Sequence, residues 1–199
     1  MTNVSQKIEE IFGRAKLLST EGKFRLCALI SSRISPEYTR FFREENLDGG
    51  RLIPNIIHKF SNTPPSIDDL RDAHRKISLT IPDCDIYPGR GCVFAQNSAF
   101  CVLNFCEYAE HFDDIYMRNC IVNFSDTIDH FIQDLLGVSD SQSHIDETIL
   151  QTDVFRSEIE EEFDKYFKDI TEIGAFKKLI LDNLNGQSIV DRWEQPLAS

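Results

Sequence analysis

A chain of 199 residues, 41% hydrophobic and 27% charged, has the length of one sizeable domain and the composition of a globular protein. Its formal net charge of -12 disfavours direct binding to phosphate backbones. Nine Gly and seven Pro are too few for a turn-rich sandwich or barrel, and fifteen Phe point to a core built on rings.

The first helix is marked by Val4, Ile8, Ile11, Phe12, Ala15 and Leu18, spaced in threes and fours. Glu21-Gly22 reads as its break, and Phe24 to Ile30 opens a more buried helix. Ser35-Pro36 has the form of an N-cap followed by a first-turn proline, so a further helix is expected there, with Tyr38, Phe41 and Phe42 on one face. Asp48-Gly49-Gly50 stops it. Pro54 fits only the first turn of the next helix, which buries Leu52, Ile53, Ile56, Ile57 and Phe60.

Asn62 to Ser66 is the clearest loop, and Ser66 with Asp69 has capping-box spacing ahead of a helix reaching about Thr80. Ile81 to Gly91 is irregular. From Cys92 to Leu136 there is neither Gly nor Pro, and 45 residues exceed one helix of a compact domain. A turn near His111–Asp114 divides them. After a polar loop at Ser139–Ser143, an acidic helix is expected from about Thr152 to Thr171. A last short helix lies around Phe176–Leu184, and residues 186–199 read as a tail. No segment alternates like a strand and no period repeats. The reading is all-α: a single compact domain of about seven or eight helices over residues 1–199, with no significant sheet.

The N-terminus carries no basic segment followed by an apolar run, and no stretch has the roughly 18 apolar residues of a membrane span. The six cysteines show no Cys-x-x-Cys, and most sit among Phe, Val and Leu, where a thiol packs as a small hydrophobe. Six free thiols and a cytoplasmic location are therefore expected.

The order of these elements resembles the YjaG-like bacterial all-α proteins, the domain of unknown function 416 family. Three stretches carry the resemblance. The first runs from Leu26 through Arg33, Pro36 and Tyr38 to Phe41. The second is Ile81-Pro82-Asp83, followed some eight residues on by a helix of small and apolar residues. The third is Thr152-Asp153-Val154, opening an acidic amphipathic helix. Together they span most of the chain, which departs from the family in its many Phe and Cys on the central helix and its extra C-terminal residues. The resemblance implies a helical fold and brings no activity with it, so it supplies no catalytic residue.

Chemistry-bearing patterns are few. Tyr87 to Cys92 is a Gly-rich spot with Arg90 near a helix start, but Pro-Gly turn chemistry accounts for it. Cys92, Cys101 and Cys106 lie near His111 in sequence, yet a helix lined with Phe94, Phe100 and Phe105 is the wrong setting for an activated thiol. Glu107, His111 and Asp114, or Asp126, His130 and Asp134, could share a helix face as metal ligands. The expected turn breaks the first trio. The second points away from the stripe of Met117, Ile121, Phe124, Ile128, Phe131, Ile132 and Leu135, so it faces solvent. No metal, cofactor or catalytic residue is expected.

Charge is the informative feature. Residues 1–80 carry a net of +3 and residues 81–172 a net of -15. In the acidic helix, Phe155, Ile159, Phe163, Tyr166, Phe167 and Ile170 mark the core stripe. Asp153, Glu161 and Asp164 point off it, flanked by Glu158 and Glu160, and Asp126, Asp129 and Asp134 extend the acidic surface on the preceding helix. Such a surface is either merely solvated or a docking face for a basic protein. The expectation is an immunity-type inhibitor, not an enzyme, that neutralises a basic toxin such as a nuclease by covering its active site, with no contact to nucleic acid or membrane. The alternatives are a metal-dependent enzyme using one of the trios, and a helical housekeeping protein with a structural or regulatory role.

Overall fold

The computed structural model of the chain describes residues 4–137 and 145–194, the side chains of 145–147 excepted. Helix α1 covers Val4–Lys16, α2 Thr20–Glu44, α3 Leu52–Asn62, α4 Ile67–Ser78, α5 Arg90–His111 and α6 Asp114–Leu136. Then come α7, Ile145–Leu150, and a continuous run, α8, made of Asp153–Phe155, a π-helical stretch Arg156–Glu161 and Glu162–Asp169. Helices α9, Ile173–Leu184, and α10, Ile189–Trp193, complete ten helices among the described residues, which contain no strand. The all-α, single-domain reading stands.

At the centre lies α2, against α3, α5, α6 and α9. Every residue from Leu26 to Tyr38 is buried, so this stretch is enclosed on all sides. That burial explains a departure from the sequence expectation. Pro36 starts no new helix, because α2 runs straight through it. A proline removes one backbone donor, and the carbonyl left over is that of Ser32. Ser35 Oγ donates to that oxygen at 3.0 Å, so the expected N-cap instead repairs the helix interior. The true break precedes α2, where Ser19 caps the helix by accepting from Gly22 N at 3.1 Å.

Other local signals act as written. Pro54 sits in the first turn of α3, and Ser66 and Asp69 form a reciprocal capping box at α4. The turn between α5 and α6 falls at Phe112 and Asp113, with Asp113 capping Ile115 N at 2.9 Å. Phe112 closes α5 in the left-handed conformation, φ 55°, where α6 uses Gly137. For a residue with a Cβ this costs about 1–2 kcal/mol.

Two expectations are corrected. Cys84 and Cys92 form a disulfide, leaving Cys27, Cys101, Cys106 and Cys120 as buried free thiols. The segment between them folds back through Pro88 and Gly89, φ 136°, so that residues eight apart lie 5.6 Å apart at Cα. The buried thiols are poor nucleophiles: burial pushes Cys106 up to about 12 and raises Cys101 and Cys120 well above the ordinary range. The expected tail is also structured in part. Ile189 and Val190 of α10 are buried, and the helix docks on α2.

Candidate functional site

Helix α8 carries two kinds of carboxylate, and the π-helical stretch lies where they separate. Single π turns inside α-helices recur at functional sites. Glu158 and Ile159 within this stretch are both buried, as Val154 and Phe155 are four residues earlier. Glu158 is completely buried, which corrects its assignment to the outer acidic surface.

Glu158 is the hub of a buried polar cluster. It accepts from Arg33 Nη2 at 2.6 Å, from Arg192 Nη1 at 3.0 Å and from Trp193 Nε1 at 2.8 Å. Burial opposes the charge on Arg33, but Glu158, Tyr166 and Glu162 together outweigh it, so the guanidinium is held more basic than usual. Nearby, Asn183 Nδ2 reaches Ser32 Oγ at 2.9 Å and the Tyr166 hydroxyl at 3.3 Å. Glu37, a turn beyond Arg33, accepts from Ile189 N at the start of α10. Desolvation drives its carboxyl up to about 7, against the opposing pull of that bond and of Arg40 and Arg33. The cluster thus fastens α8, α10 and the Gln187 carbonyl to the middle of α2. One sequence signal pointed to it: Arg33 in a stretch of small and apolar residues needs a buried partner.

The remaining predicted carboxylates reach the surface, Asp129 only in part since one of its oxygens is buried, and most have partners within the chain. Glu160 pairs with Lys7 at 2.8 Å and Asp164 with Arg14 at 2.7 Å, both across to α1. Asp153 and Glu161 flank Arg156 at 2.6 and 3.8 Å. Asp134 meets Arg90 at 3.4 Å, and Asp129 accepts from Gln133 at 3.0 Å. Asp126 is raised by partial desolvation, with His130 opposing and Asp129 adding to the rise. Phe124 of α6 meets Phe163 of α8 at 6.1 Å between ring centroids, so the two acidic helices border each other. Much of the charge polarity between the two halves of the chain is thus spent inside the fold. Lys23 on Asp114 and Arg71 on Glu110 repeat the pattern, and Arg118 on Glu9 joins the same two halves in the opposite sense.

Neither metal trio is assembled. Asp114 turns to Lys23, while Glu107 directs its two oxygens to separate imidazoles, His74 at 3.0 Å and His111 at 3.3 Å. His130 is exposed on α6. Among the described residues no three His, Cys, Asp or Glu side chains converge as metal ligands. No helix among them is long and apolar enough to cross a membrane.

The all-helical fold with α2 at its centre defines the class of architecture, and a solved structure resembles it in fold. A DUF416 family protein from Shewanella baltica OS155 superposes with a TM-score of 0.76, over 89% of this chain and 97% of that one, at 15% identity. The fold is therefore that of a DUF416 protein. No family model and no curated protein matches the chain.

Proposed function

We propose that this protein is a cytoplasmic protein-binding module, an immunity-type inhibitor that neutralises a basic toxin, a nuclease, by covering its active site with carboxylates. In this reading it is not an enzyme and touches neither nucleic acid nor membrane. The observation that carries the proposal is the outer face of α8 and α6 on a molecule of net charge -12. Asp153, Glu160, Glu161 and Asp164, with Asp126, Asp129 and Asp134, supply the acidic surface, and Glu158 does not belong to it. Their ion pairs with Lys7, Arg14 and Arg156 are solvent-accessible, and such pairs contribute about 0–1 kcal/mol. An incoming arginine or lysine can replace them at small cost. Leu135 and Leu136, 48% and 42% exposed beside Asp134, offer the apolar anchors that rim charges alone do not provide.

An inhibitor protecting its own cell meets the toxin where both are made, hence the cytoplasm. The test is co-expression with a basic toxin encoded beside this chain, scored for growth and for a co-purifying complex. Rescue and a complex whose association slows steeply with salt are expected. If no basic partner is retained at low salt, the reading fails.

A further inference from the structure

One cavity among the described residues owes nothing to α6 or α8. It lies where the start of α2, the end of α3 with its following loop, the end of α5 and the start of α9 meet, and its volume is about 560 Å³. That lies within the roughly 300–1,000 Å³ of small-molecule sites. Phe60 and Phe176 are buried rings in its wall. Phe112 and Ile173 stand at its edge, 58% and 49% exposed. An apolar body would fit this space.

The polar groups around the cavity select the head of the ligand. Arg25 is committed to the fold, donating to the carbonyls of Ile170 and Thr171 at 2.9 and 3.2 Å and pairing with Glu21. Ser61 Oγ is bonded to Ile57 O and Asn62 Nδ2 to His58 O. Lys177 has no carboxylate within ion-pair distance among the described residues, so its ammonium is the strong donor left for a ligand.

Phe112 adds an independent sign. Its left-handed backbone is the position where glycine is usual at a helix end. The ring that incurs this strain stays mostly in solvent at the cavity edge, touching Tyr108 at 6.1 Å. Strained residues of this kind recur at ligand clamps.

We infer that the cavity between α2, α3, α5 and α9 binds a small amphipathic monoanion, its apolar chain against Phe60, Phe112 and Phe176 and its carboxylate on Lys177. The test is calorimetric titration of the full chain with hexanoate, octanoate, decanoate and decanol below their aggregation limits. One saturable site is expected, tightening by about fourfold for each added methylene. Lys177→Glu should weaken decanoate by about tenfold while leaving decanol nearly unchanged. Because Lys177 holds no ion pair, this variant should fold normally, as its circular dichroism will report. Decanoate failing to saturate a single site, or binding Lys177→Glu as well as the parent, overturns the inference.

Discussion

Glu158 and Asp164 sit on the same helix, both bonded to arginine, in opposite circumstances. Glu158 has no exposed surface and takes three donors from α2 and α10, whereas Asp164 lies in solvent with Arg14 alone. The difference lies in what replaces the bond when it is broken. Water takes over at Asp164, but nothing can at Glu158. A carboxylate count therefore overstates the docking surface, since part of the acidic content of α8 holds the fold together.

The largest effect expected from this contrast is at the buried hub. Removing one partner of a buried pair strands the other, at a cost of about 3–5 kcal/mol. Glu158→Ala and Arg33→Ala should each lose that much in urea denaturation. The double replacement Arg33→Met with Glu158→Met should recover much of the loss, because it leaves no orphaned charge. Losses below 1 kcal/mol for the single variants would mean that water reaches the cluster.

Glu37 tests the same interior by pH. Its carboxyl is raised from 4.5 to about 7, chiefly by desolvation. The unfolded chain releases this proton first, so the contribution to stability is complete below pH 4.5 and is lost as pH rises through 7. Glu37→Gln keeps an oxygen acceptor for Ile189 N and cannot ionise. It should match the parent near pH 4 and exceed it by about 3 kcal/mol at pH 8. Subtracting the two denaturation profiles removes the contributions of all other carboxylates. A flat difference would show that Glu37 ionises freely in the fold.

These inner residues are also where sequence reading stopped short. Caps and breaks depend on adjacent residues, so the Ser66–Asp69 box and the turn at Phe112–Asp113 were legible. Pro36 was misread because the burial of the whole stretch from Leu26 to Tyr38 holds α2 continuous, and no neighbouring residue announces that. The place of Glu158 depends on Arg192 and Trp193, more than thirty positions away. Hence the tail could not be recognised as the closing piece of a buried cluster. The Cys84–Cys92 bond was hidden for a related reason: spacing gives no sign that the loop doubles back. The outer carboxylates were legible as a surface, while their pairing across to α1 was not.

The smallest stability effects belong to the outer face, and there the comparison turns on binding. Charge reversal at Asp164 or Glu161 should change folding by no more than about 1 kcal/mol, since exposed pairs contribute little. With a basic partner, the same reversals should slow association and flatten its salt dependence, because steering follows the summed field. Arg14→Gln separates the steering effect from simple loss of an ion pair. It breaks the same pair as Asp164→Lys but leaves the carboxylate free, so it should accelerate association where Asp164→Lys slows it. Stopped-flow rates at low and moderate salt decide the matter. Opposite shifts from the two variants would mean that the partner responds to the charge of this face and not to the ion pair. Equal shifts would mean that the Arg14–Asp164 pair matters only as packing between α1 and α8.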